Sequence, residues 1–141
     1  MTHEYIGTKI ITAWPESRPN GEGYAVKYPD GYMSWSPKDT FEAAYRVIEG
    51  EGQSLSFGDA LVMLKAGKRL ARAGWNGKGM FVYLVPAASY PVQTGAAKAH
   101  FGEGAMVPYN AYLAIKNVNE TVSTWVPSVN DCLAEDWRVL D

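Results

Sequence analysis

The sequence is poor in the residues that most often carry chemistry: one cysteine and two histidines in 141 residues. A lone thiol, Cys132, forms no intrachain disulfide, so a reducing, cytoplasmic setting is the simplest expectation. It reads as a small buried apolar residue, because a nucleophilic thiol needs a positioned base and neither His3 nor His100 has a motif linking it to Cys132. The same scarcity leaves no His, Cys and carboxylate spacing for a metal site. Charge of one sign is also lacking. The formal net charge is -2, which gives the molecule no overall pull toward DNA, RNA or an anionic membrane. No apolar run reaches membrane-spanning length, and Met1-Thr2-His3-Glu4-Tyr5 lacks the basic start and apolar stretch of an export signal.

What is present is an ordinary globular composition, with 47% hydrophobic and 20% charged residues. A chain of this size buries about two-thirds of its unfolded surface, enough for a real core. The pattern predicts an α+β fold of small antiparallel sheets and short helices, divided near the polar stretch Glu49 to Ser54.

In the first segment, residues 1–50, Tyr5 to Ala13 and Gly23 to Tyr28 read as strands. The run from Tyr28 to Tyr32 carries Pro-Asp-Gly turn chemistry, and a hairpin should follow. Ser36, Pro37 and Asp39 look like an N-cap, a first-turn proline and an acidic N3 residue. They precede Phe41, Ala44, Tyr45 and Ile48 at helical spacing. The segment is therefore a ββ(β)α unit.

The second segment, residues 55–141, opens on the same grammar. Ser56 caps, Asp59 sits at N3, and Phe57, Ala60, Leu61 and Leu64 form an apolar stripe that Gly67 stops. Strands are expected over Lys68 to Ala71 and Met80 to Pro86, around a glycine-rich loop from Gly74 to Gly79. Further strands fall over Tyr109 to Lys116, Val122 to Val126 and Trp137 to Leu140, with a turn at Asn117 to Glu120 and a brief helical turn in Asp131 to Asp136. Residues 87–108, rich in Ala, Gly and Pro, read as a long loop, a kind of segment that is often functional or mobile.

Enzymatic readings are weak. The Gly74 to Gly79 loop lacks the Gly-Lys-Ser/Thr ending of a phosphate loop and the helix that would face a phosphate. Asp131, Glu135 and Asp136 could include a general base, but acids on a short polar segment are more often a solvated face or helix-start charges. The informative feature is rigid aromatics beside hydrogen-bonding groups: Trp75 with Asn76 and Lys78, and Trp125 leading into Ser128, Asn130 and Asp131. Such a set suits a nucleotide, because indoles stack on bases, an Asn amide reads a base edge or ribose, and Lys meets phosphate. The blander alternative is that the tryptophans are core and Ser128 merely caps the final turn. Between Lys65 and Lys78 every charged residue is basic (Lys65, Lys68, Arg69, Arg72, Lys78), which makes either a phosphate-attracting patch or a guarded strand edge.

The wording of the second segment is itself familiar. Ser56 to Leu61, Leu64 to Lys68, Ala71-Arg72, Gly74 to Phe81, Trp125 to Ser128 and Asp131 to Trp137 together resemble the phage Thoeris anti-defence 2 family. The resemblance implies a small phage protein, acting in the cytoplasm of the infected bacterial host. It would bind and sequester, without catalysis, the cyclic ADP-ribose signal (gcADPR type) made by Thoeris TIR proteins. It implies a homotetramer with pockets between subunits and no cofactor, and it permits cyclic di- or oligonucleotides of other antiphage systems as further ligands. Carried onto this sequence, the ligand-binding residues are Trp75, Asn76, Lys78, Met80, Trp125, Ser128, Asn130 and Asp131. Val129, Asn130, Asp131 and Cys132 depart from the family's common wording, which bears on ligand choice. Residues 1–50 are extra relative to the shortest members; a second ligand surface and an assembly element are both open for them. Besides a sponge, two other classes are weighed: a nucleotide-signal hydrolase using Asp131, Glu135 or Asp136, and a phage protein-protein adaptor using exposed aromatics.

Overall fold

The computed structural model describes residues 1–140. They form an α+β fold whose chain divides into two compact units, Met1–Arg46 and Val47 onward.

The first unit is a three-stranded antiparallel sheet, β1 (Thr12–Pro15), β2 (Gly23–Lys27) and β3 (Met33–Pro37), followed by α1 (Lys38–Ala44). A tight turn closed by reciprocal backbone bonds between Arg18 and Gly21 joins β1 to β2. Strand alternation splits β2 into two faces. On one face Phe41 of α1 stacks on Tyr24 at 4.2 Å and on Tyr45 at 5.1 Å. On the other, Trp14, Ala25 and Trp35 stand in one row across the three strands. The Trp35 ring covers Gly23, where an added Cβ would run into it, and its Nε1 donates to the Glu16 carbonyl at 2.7 Å.

Two expectations change here. The strand expected over Tyr5 to Ala13 starts only at Thr12, because β2 leaves the ladder at Lys27 and turns through Asp30 and Gly31, so nothing lies beside the earlier residues. The helix is also shorter than expected. Ser36 is held in β3 opposite Tyr24, so Pro37 takes the cap position without a side-chain bond, and Tyr45 is already extended.

In the second unit, Ser56 caps α2 (Phe57–Lys65) by accepting from the Asp59 amide at 3.2 Å. Gly67 ends it with φ +90, a backbone conformation that costs glycine little. Ala60, Met63 and Leu64 then face β4 (Arg69–Arg72), β5 (Phe81–Val85) and β10 (Trp137–Leu140). With β8 (Tyr112–Lys116) and β9 (Val122–Thr124) these make a five-stranded antiparallel sheet in the order β10-β4-β5-β8-β9. The core is Leu55, Ala60, Met63, Leu64, Leu70, Val82 and Trp137. The last strand lies next to β4, and the Leu55 and Trp137 backbones bond to each other in both directions.

Residues 87–108 are not a loop. They hold a two-stranded sheet, β6 (Ala88–Pro91) with β7 (Met106–Tyr109), closed by α3 (Gly95–Phe101). Thr94 caps α3 by accepting from Ala97, and Val92 and Val107 are buried. The expected strand from Tyr109 is accordingly divided between β7 and β8. The final helical turn, α4 (Val129–Leu133), sits two residues earlier than expected, because Ser128 starts it with a complete capping box. Cys132, expected to be buried, is exposed on α4.

Candidate functional site

The loop after β4 and the helical turn before β10 meet over one arginine. Arg72 donates from Nε to Asp136 and from Nη1 to Asp131, both at 2.9 Å. Each carboxylate has further donors: the Gly74 amide binds Asp136 at 2.8 Å, and the Ser128 amide binds Asp131 at 2.9 Å. Charge-assisted bonds of this kind are among the strongest a side chain makes. Burial alone would raise both carboxyls. The bonds from Ser128 and Arg72 to Asp131, and from Arg72 and Gly74 to Asp136, outweigh it and hold both below the usual range. The same contacts, Asp136 foremost, push Arg72 up.

The clamp anchors an aromatic cluster. Trp137 lies at the bottom, fully buried, and donates its Nε1 to the Asp131 carbonyl at 2.9 Å. Trp75 packs edge-on to Trp137 at 5.4 Å and to Trp125 at 6.4 Å, within the usual range for aromatic pairs. Its own Nε1 reaches Asp131 Oδ1 at 3.5 Å, a long and weak contact. The loop that carries it needs its glycines. A side chain at Gly74 would press on the Asp136 carboxylate, and one at Gly77 would run into Met80 and Val118.

Of the residues singled out from the sequence, Trp75, Trp125, Ser128 and Asp131 come together around Arg72. Trp75 and Trp125 are half-buried, each packed against the core with one part open. Ser128 and Asp131 hold each other through the capping box, so the Asp131 carboxylate is already occupied. Met80 is half-buried under Gly77, and Asn76, Lys78 and Asn130 are exposed on the same loop and helix as these anchors. Arg72 escaped notice as the organiser. The signal available was its place as the one arginine beside the Gly74 loop, but its partners lie 59 and 64 residues away.

Sequence reasoning also passed over a concavity of about 330 Å³ in the second unit, lined by Val85, Pro86, Tyr90, Pro91, Gln93, Tyr109 and Tyr112. Tyr90 and Tyr109 meet edge-on at 5.7 Å and are about half exposed. Three tyrosines and two prolines around a segment read as a loop were the available clue. Among the described residues, no group of three or more His, Cys, Asp or Glu is placed to hold a metal, and no helix is long and apolar enough to cross a membrane.

A five-stranded sheet under one helix, closed by its own last strand and tied by an arginine between two aspartates, defines a small α+β domain with a half-open aromatic shelf. The model of the Thoeris anti-defense 2-like domain matches residues 55–140. A protein of Bacillus phage SP01 named Thoeris anti-defense 2 is 39% identical over 87 residues, covering 61% of this chain and 94% of that protein. The chain belongs to the Thoeris anti-defense 2-like family.

Proposed function

We propose that this chain counters Thoeris defence as a sponge, binding a cyclic ADP-ribose signal of the gcADPR type without converting it, in the cytoplasm of the phage-infected bacterium. The observation that carries this reading is the family match over the whole of residues 55–140, with Trp75, Trp125 and the Arg72 clamp inside it. A half-open indole at Trp75, beside exposed Asn76 and Lys78, offers a stacking face, an amide and a cation within one loop. The clamp also favours holding over reacting. Asp131 and Asp136, both depressed and both bound to Arg72, are poor general bases, because a base must be free to take a proton. The homotetramer with pockets between subunits is part of the same proposal, since a domain this small rarely encloses a dinucleotide-sized ligand alone.

One assay decides it. The protein is mixed with a TIR-derived cyclic ADP-ribose, filtered, and the retained protein heated. The expected result is depletion of signal from the filtrate and its recovery unchanged. Recovery of a cleaved product identifies a hydrolase, and signal left in the filtrate removes nucleotide binding altogether. A parallel arm with a cyclic dinucleotide tests the wider ligand range, and light scattering at micromolar concentration should return four times the chain mass.

A further inference from the structure

The first unit carries a stretch of strand-like sequence with no strand to lie against. Tyr5 to Ile11 leads straight into β1, yet β2 departs at Lys27, and residues 1–11 pair with no strand among the described residues. Its large apolar residues lie open, with Tyr5 89% exposed, Ile6 99% and Ile10 52%. Its other side is free as well, because β1 is an edge of its sheet. Exposed β-branched and aromatic residues on an unpaired backbone that runs into an edge strand are a template for another strand.

The order of these residues identifies that strand. Tyr5, Ile6, Gly7, Thr8, Lys9, Ile10 and Ile11 read as a palindrome of character about Thr8, with two large apolar residues at each end and small or polar ones between. A two-fold axis between antiparallel strands places one residue opposite itself and makes every other pair occur twice. Centred on Thr8, the register sets Ile6 against Ile10 of the other copy on one face, and Tyr5 against Ile11 on the other. Gly7 falls opposite Lys9, leaving room for the lysine stem. Every apolar residue of the stretch thus meets an apolar partner.

We propose that residues 5–11 form an interface with a second copy of this chain, as an antiparallel strand pair continuous with β1 and centred on Thr8. The surface lies outside residues 55–140, so it adds to whatever contacts the family domain makes for itself. Lys9, whose Nζ sits 4.8 Å from the Tyr28 ring centre, steadies the start of the overhang against the β2-β3 turn.

The test uses the full chain with Cys132→Ser, so that no native thiol remains. Opposed residues in an antiparallel pair have Cα atoms about 4.5 to 5.5 Å apart, within disulfide range. Thr8→Cys should therefore give a covalent dimer under mild oxidation, at least about tenfold faster than Thr2→Cys, which lies beyond the paired stretch. Adding Ile6→Lys with Ile10→Lys puts like charges opposite each other on both rungs and should slow Thr8 cross-linking by about tenfold or more. These exposed positions should leave the far-ultraviolet spectrum and the melt of the monomer unit unchanged. Equal rates at residues 2 and 8 would overturn the pairing. So would no dimer from Thr8→Cys, or cross-linking that ignores the two lysines.

Discussion

The two units are built from the same materials and held by different means. The second has a core of seven buried residues from α2, β4, β5, β10 and the strand entry at Leu55. The first has little that is deeply buried beyond Ala25 and Val26, and relies on rings: Tyr24, Phe41 and Tyr45 stacked on one face, Trp35 laid over Gly23 on the other. Size accounts for the difference. A unit of 46 residues encloses little volume, and chains near this length are marginal unless something else braces them. Aromatic stacks supply that brace, because a ring keeps most of its contact area even when one face stays wet.

The largest effect should come from removing the bottom of the second unit. Trp137→Ala deletes the fully buried indole and its bond to the Asp131 carbonyl, and large aromatic truncations of this kind cost roughly 3 to 5 kcal/mol. Hydrogen exchange should then accelerate throughout α2 and β4. Slow exchange preserved there would mean that the core is not organised around Trp137.

Next comes the clamp. Arg72→Ala strands two carboxylates, and breaking a buried pair costs about 3 to 5 kcal/mol, less here because the site keeps some solvent. A loss near 2 to 3 kcal/mol in a denaturant titration is expected. Arg72→Lys should recover only part of it, because an ammonium cannot bridge both aspartates with a planar fork. Full recovery by lysine would reduce the clamp to simple charge balance.

Acid should separate the units in the same order. Asp131 and Asp136 lie below the unfolded aspartate value of about 3.9, so their stabilisation is complete above that pH and lost as pH falls through the depressed values. Arg72, shifted upward, stays charged throughout and adds no slope in this range. Protection of the β4 and β10 amides, relative to their intrinsic exchange rates, should therefore fall below about pH 4, while β2 of the first unit has no comparable arginine-held pair of aspartates to lose. A uniform acid response would erase this part of the contrast.

The smallest stability changes are expected on the exposed loop. Lys78→Ala should stay within about 0.5 kcal/mol in a melt, yet weaken retention of the signal if the loop meets phosphate. Trp75→Ala should lower the melt by more than Lys78→Ala and weaken retention as well, since its ring also packs on Trp137 and Trp125. Losing one stack weakens binding by roughly 1 to 3 kcal/mol, read by calorimetry beside the melt. Wild-type affinity in both variants would move the ligand away from this loop.

What could be read from the sequence follows the range of each signal. Ser56 with Asp59 and the stop at Gly67 mark α2 within a dozen residues, and the structure keeps both ends. β10 was equally legible. Signals that need a distant partner were not. Nothing near Arg72 announces Asp131 or Asp136, and nothing within Tyr5 to Ala13 reveals that β2 turns away after Lys27. In residues 87–108 the glycines and prolines that suggest a loop stand at the ends of short elements: Pro91 closes β6, and Gly102 follows α3. Cys132 was misjudged because a five-residue helix has only one inner face, and Asp131 occupies it.

The bond pair between Leu55 and Trp137, with the Gln53 side-chain amide also donating to the Val139 carbonyl and accepting from the Val139 N–H, has an evolutionary consequence. A domain whose two ends touch can be spliced beside other sequence without moving its interior, and it tolerates being rejoined end to end and reopened elsewhere. The exposed turn at Val118 to Glu120 is a natural place to reopen it. Such a domain travels easily between genes as a cassette, and a neighbour like the first unit can be gained or shed upstream while the sheet, the clamp and the aromatic shelf stay as they are.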